Sequence, residues 1–224
     1  MLRILFYAAA VHSILIAPKG TKGITLSRND SASGAIIRKN RKSKEAQNMS
    51  NRKVIIYIAA SLDGYIATKE ESLDWLFQVE GEGDNGYSAF YETVDAVLMG
   101  KKTYDWILNQ ELPEFPYKGK ETYVFSRTAA GSTEDVTFIS DGITSLIADL
   151  KKQSGKNIWL VGGGELIALF IKEQLVDELI VTIAPAVIGN GIPLFKEGEY
   201  KLDLSLKGTK TFNQFVELYY EVKK

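Results

Sequence analysis

The chain has 224 residues, 45% hydrophobic, 25% charged and 11% aromatic, ordinary globular usage that excludes a wholly disordered or fibrous molecule. No cysteine is present, which excludes disulfides, thiolate zinc sites and cysteine nucleophiles, and the single histidine, His12, excludes a histidine-dependent triad or His-rich metal centre in the main body. The formal charge of −1 hides a split: residues 1–53 hold eleven Lys and Arg against Asp30 and Glu45, a net of +9, which leaves −10 on residues 54–224, a poor surface for nucleic acid.

Residues 1–52 read as a disordered basic extension. Leu2 to Ile16 is mostly apolar but shorter than the roughly 20 residues needed to span a bilayer, so no membrane helix is expected. Pro18 to Lys44 is rich in Ser, Gly, Lys and Arg and lacks hydrophobic periodicity. Three origins fit this stretch: a targeting leader, a basic tail with an anionic partner, or sequence lying upstream of a start at Met49. The expected location is cytoplasmic, or organellar or secreted if residues 1–48 are a genuine leader.

From residue 54 the pattern changes, and residues 53–224 read as one domain. Val54–Ala60, Ala96–Met99, Thr122–Phe125, Ile158–Val161 and Leu179–Ala184 are brief and apolar on both faces, the pattern of parallel strands covered on both sides. Ile143, Leu146, Ile147 and Leu150 recur at i, i+3, i+4 and i+7, and Leu166, Ile167, Phe170 and Ile171 form a second stripe, predicting two helices with one buried face each. Alternating strands and helices imply an α/β fold with right-handed crossovers and a mostly parallel central sheet flanked by helices. Leu202, Leu204 and Leu206 alternate, as do Val216, Leu218, Tyr220 and Val222, around Asn213-Gln214. This predicts a C-terminal antiparallel hairpin closing one sheet edge.

Five segments place glycines, charges or hydroxyls where strands end. Ile158 to Leu166 runs from a buried strand through Gly162, Gly163 and Gly164 into Glu165 and a helix. Bare backbone followed by a helix N-terminus suits a phosphate, although such glycines also serve tight packing. Val97 to Tyr104 puts Gly100, Lys101, Lys102 and Thr103 at a second strand-to-helix junction. Tyr123 to Thr128 ends a strand in Ser126 and Arg127. Ala59 to Ala67 contains Ala60, Ser61 and an Asp63-Gly64 turn, and Ala184 to Phe195 is an apolar loop with Gly189 and Gly191. In open α/β sheets ligands collect at the carboxyl ends of strands, where the first three segments lie. A solvated lysine pair, a surface arginine and a plain turn are the structural alternatives.

In this order the five segments resemble the dihydrofolate reductase-like superfamily. Within it, they resemble the reductase domain at the C-terminus of the bacterial riboflavin-biosynthesis deaminase-reductase, over about residues 53–222. No deaminase half is expected, since its zinc elements need cysteines. The resemblance implies NADPH binding and hydride transfer. It assigns the cofactor to Gly162, Gly163, Gly164, Glu165 and Leu166, to Gly100, Lys101, Lys102 and Thr103, and to Ser126 and Arg127, the last two around the adenosine 2′-phosphate. It also implies a cis peptide between Gly162 and Gly163. Where the family usually has Arg after the first glycine, this chain has Lys101, which keeps the charge but loses the bidentate fork that would favour NADPH over NADH.

Ala60, Ser61, Asp63, Gly189 and Gly191 are the expected substrate-side residues. Asp63 and Asp84 are the candidate catalytic carboxylates, Asp63 for substrate positioning and Asp84 as an acid. Trp75, Phe77, Tyr87 and Phe90 are either stacking walls for a planar heterocycle or core. The implied substrate is a small heterocycle, first a phosphoribosylated aminouracil and second a pterin or dihydrofolate. A protein that senses NADPH without turnover is the alternative of a different class. No metal is expected, and a homodimer is implied by resemblance alone.

Overall fold

The computed structural model describes residues 52–110 and 112–224, and the readings made for residues 1–51 lie outside them. Five strands run parallel at the centre: β1 (Val54–Ser61), β3 (Val94–Gly100), β4 (Glu121–Phe125), β7 (Asn157–Gly162) and β8 (Glu178–Ala184). All eight residues of β1 are buried, because it lies between β8 and β7 with both faces covered. The short strands β5 (Gly131–Ser132) and β6 (Thr137–Ile139) extend one edge beyond β4. At the other edge β10 (Leu204–Phe212) and β11 (Phe215–Val222) form the expected hairpin, with β11 antiparallel to β8. The nine-stranded order is β10-β11-β8-β1-β7-β3-β4-β6-β5. The alternation of Leu202, Leu204 and Leu206 does not continue as a buried face: the register shifts between Leu206 and Gly208, and Leu206 is 57% exposed on this outermost strand.

Among the described residues the helices are α1 (Asp74–Phe77), α2 (Tyr87–Tyr91), α3 (Lys101–Leu108), α4 (Ile143–Lys152) and α5 (Gly164–Lys172). Both predicted stripes point inward: Ile147 and Leu150 of α4 and Ile167, Phe170 and Ile171 of α5 pack on Ile56, Ile58, Leu98 and Leu160. The residues between those on each strand point the other way. Ile55, Tyr57, Val97 and Trp159 meet Phe90 of α2, Ile107 of α3 and Tyr117 in an aromatic-rich cluster. Tyr87 and Phe90 are therefore core, Trp75 packs against Leu76, Ala184 and Phe215, and none of the four aromatics considered as stacking walls borders the cleft described below.

The amino ends of the strands are closed by charge pairing. Arg52, whose side chain is 3% exposed, pairs with Asp95 and donates to the carbonyls of Lys156 (2.8 Å) and Leu150 (3.3 Å). Asp177 accepts from the Val54 N–H and pairs with Lys151 and Lys224. Among the described residues no helix is long and apolar enough to cross a membrane.

Candidate active site

The carboxyl ends of the same strands stay open. Gly100, last in β3, is in register with Phe125, last in β4, and Met99 is opposite Gly162, last in β7. The residues that follow each strand end therefore converge on one cleft of about 760 Å³. Gly100 to Thr103, Ser126, Arg127 and Gly163 to Leu166 all line it, which unites the three sequence segments assigned to the cofactor. Gly162 is the one member of that group that lies behind the lining.

The glycines have separate reasons. Gly162 holds φ +129°, a region that L side chains rarely adopt, and the Gly162–Gly163 peptide is cis, as the resemblance implied. A Cβ on Gly100 would lie 3.9 Å from the Gly162 carbonyl oxygen and the Gly163 nitrogen, so two strand ends present bare main chain to each other. Gly164 serves packing: a Cβ there would meet the Pro193 carbonyl oxygen at 3.1 Å. The helices α3 and α5 begin at this point, and their first N–H groups and positive dipole ends favour an anion in the cleft.

Cations surround those helix starts. Lys102 and Arg127 are exposed at the cleft, Lys101 pairs with Asp105 one turn along its own helix at 2.5 Å, and Lys196 sits 3.2 Å from the Glu165 carboxylate. The Lys196 hydrogen bond and charge hold the Glu165 carboxyl below its ordinary value, with Lys102 and Arg127 adding to the effect. Apolar walls come from Trp106, Ile143 and Leu166. Lys196, Trp106 and Glu71 are cleft residues that the motifs did not single out. Trp106 lies four positions after Lys102 on one helix face, the signal that would have found it.

The substrate-side candidates divide. Gly191 lines the cleft, whereas Ala60, Ser61, Asp63 and Gly189 do not. Ser61 is fully buried, donates to Asp63 at 2.6 Å and accepts from the Tyr65 N–H at 2.9 Å. Asp63 also accepts from the N–H groups of Ile188 (3.2 Å) and Gly189 (2.7 Å). This carboxylate ties the turn after β1 to the loop after β8. The tie sets the pairing of β2 (Tyr65–Ala67) with β9 (Ile192–Pro193), whose Ile66, Ala67, Ile192 and Pro193 form one cleft wall.

The hydrogen bond from Ser61, followed by those from Gly189 and Ile188, lowers the Asp63 pKa below its ordinary 3.8. The tie is thus complete at neutral pH and is lost as pH falls through that lowered value. Proteolytic nicking of the 186–191 loop is expected to accelerate only in strong acid in the wild type, and to be fast already at neutral pH in Asp63→Asn.

Asp84 is placed outside the cleft lining, at the start of α2, where it accepts from the Gly86 N–H (3.0 Å) and the Ser88 N–H (2.8 Å). These bonds fasten the turn that leads into α2, and Asp84→Ala is expected to cost about 1 kcal/mol of stability in denaturant unfolding. A loss of turnover in the still-folded Asp84→Asn protein would instead favour the acid role.

Residues 52–218 match the model of the RibD C-terminal domain. The chain belongs to the RibD C-terminal domain family. It is 50% identical over 170 residues to the uncharacterized protein YwjB of Bacillus subtilis, covering 75% of this chain and 97% of YwjB. A Shewanella sp. PV-4 protein whose name assigns it to riboflavin biosynthesis shares 33% identity at a TM-score of 0.70, over 77% of this chain and 99% of that one. The Enterococcus faecalis dihydrofolate reductase solved with NADP(H) shares the fold at 13% identity and a TM-score of 0.56, over 77% of this chain and 97% of that one. Membership of the RibD C-terminal domain family and the dihydrofolate reductase-like fold mark the chain as a reductase-type domain.

Proposed function

We propose that this domain binds NADPH in the cleft at the carboxyl ends of β3, β4 and β7, and reduces a small heterocyclic substrate. The observation that carries the reading is the meeting of bare main chain at Gly100, Gly162 and Gly163 with two helix starts and the cations Lys102 and Arg127. A dinucleotide needs all of these: close backbone approach for its pyrophosphate, positive charge for its phosphates and apolar walls for its rings. A cleft of about 760 Å³ is within the range of small-ligand sites.

When bound, NADPH supplies the hydride. The protein's part is to hold and orient. The first N–H groups of α3 and α5 take phosphate oxygens, Arg127 and Ser126 take the 2′-phosphate, and the wall built from β2 and β9 keeps water from the reacting faces. Asp63 acts through that wall as a positioning residue, since its hydrogen bonds keep it ionised. The family name and the Shewanella neighbour support a phosphoribosylated aminouracil as substrate. The dihydrofolate reductase neighbour supports only the shared fold, and a pterin is the second candidate.

Loss of reduced-nicotinamide absorbance across aminouracil, pterin, dihydrofolate and quinone substrates tests the reading. Turnover with at least one is expected. Tight NADPH binding with no turnover on any would favour a sensor. Arg127→Gln is expected to weaken NADPH about tenfold in a binding titration while NADH changes little, because a charge-assisted contact to the 2′-phosphate is lost.

A further inference from the structure

The ion pair between Lys196 and Glu165, both lining the cleft, joins the loop after β9 to the first turn of α5. The Lys196 stem lies over Gly164, where a Cβ would come within 3.9 Å of its Cε. Both charged ends are solvated, with side-chain exposures of 39% for Lys196 and 70% for Glu165. Pairs of this kind contribute little to stability and exchange partners readily. Lys102 and Arg127 line the same cleft as this pair, and their charges also favour the ionised Glu165. Lys101 is already matched by Asp105, and Glu71 also lines the cleft, so its remaining cations exceed its carboxylates by one charge. A phosphate monoester, at about −1.5 to −2 near neutral pH, is an anion that this excess favours.

We propose that Lys196 is a third phosphate-binding cation of the cleft, held by Glu165 until a ligand's phosphoryl group takes it over, so that Glu165 sets how strongly the cleft selects phosphorylated ligands. The inference rests on the reading of the cleft as a dinucleotide reductase site and adds a specificity-determining pair to it. Lys196 is reached only through the fold, thirty-one positions from Glu165 in the chain. The phosphoryl group has three possible sources: the cofactor's pyrophosphate, which a loss shared by NADPH and NADH identifies, the cofactor's 2′-phosphate, and a phosphate on the substrate.

Titrations of NADPH, NADH and ribose 5-phosphate against the wild type, Lys196→Met, Lys196→Arg, Glu165→Gln and the double variant Glu165→Gln/Lys196→Met test the assignment. Lys196→Met is expected to weaken a phosphorylated ligand about tenfold, Lys196→Arg to restore most of it, and Glu165→Gln to tighten it several-fold. A loss confined to NADPH among the nucleotides identifies the cofactor 2′-phosphate as the source. A loss confined to ribose 5-phosphate identifies the substrate. The double variant separates contact from mere neutralisation: it should bind more weakly than Glu165→Gln alone if Lys196 touches the ligand.

Equal affinities in those two proteins, or changes within twofold for every ligand in Lys196→Met, would overturn the proposal while leaving the cofactor reading intact if NADPH still binds. If the wild type binds neither nucleotide but binds ribose 5-phosphate in a Lys196-dependent way, the cofactor reading fails and the phosphate site stands. A wild type that binds none of the three overturns both.

Discussion

Replacing Trp159 by alanine is expected to remove about 3–5 kcal/mol of folding stability, in a domain whose total should be of order 5–15 kcal/mol. Trp159 lies in β7 near the middle of the sheet and is 2% exposed. Phe90, Tyr117 and Tyr57 meet its ring edge-on, with centroids 5.4, 5.5 and 6.2 Å away. These neighbours come from a helix, a loop and another strand, so no single one of them can move to fill the void. Alanine also leaves the Tyr57 carbonyl without the N–H that Trp159 donates at 3.1 Å. Trp159→Phe keeps most of the ring and loses that bond, and should cost about 1–3 kcal/mol. Urea unfolding with an unchanged m-value checks both numbers. A loss below about 1 kcal/mol for the alanine variant would show that the cluster is not the centre of this core.

Gly191→Val is expected to lower kcat/KM at least a hundredfold while leaving most of the global stability in place. A Cβ at Gly191 would stand 2.2 Å from the Ala67 carbonyl oxygen, which belongs to β2 and cannot swing away as a side chain would. The pairing of Ala67 with Ile192 and of Tyr65 with Pro193 must then open, and with it the cleft wall. The same movement disturbs the contact of Pro193 with Gly164 at the start of α5. The sheet itself does not depend on β2 or β9, which form a separate two-stranded unit. Gly189→Ala is the control. Gly189 has φ +76° but nothing within 4 Å of its missing Cβ, so that variant should pay only a conformational cost of about 1 kcal/mol and keep its activity. Equal activity in both variants would mean that the wall plays no part in the reaction.

The parallel strands were legible because burial on both faces leaves continuous apolar runs, as in Val54–Ser61 and Asn157–Gly162. The glycine and lysine segments were legible because strand, glycine and helix start follow one another within a few residues. What stayed hidden depends on contacts between distant parts of the chain. Asp63 and the 188–189 amides are 125 and 126 positions apart, and nothing local distinguishes a carboxylate that ties a loop from one that meets a substrate. The wall strands β2 and β9 have three and two residues, too few for any periodicity. Asp84 lies in a glycine-rich stretch where chain counting slips, and only the Gly86 and Ser88 N–H groups reveal its place at a helix start. The aromatics of α1 and α2 could be read as core or as stacking platform, with core favoured for at least half of them, because amphipathic patterns say which side is apolar but not what covers it.

The most direct test is a titration of the folded protein with NADPH, followed by quenching of tryptophan fluorescence from Trp106 in the cleft. Saturable quenching that weakens in Arg127→Gln, and weakens less for NADH, is the expected result. Absence of any saturable signal with either nucleotide, from protein with an intact cooperative unfolding transition, would contradict the assignment of this cleft to a dinucleotide.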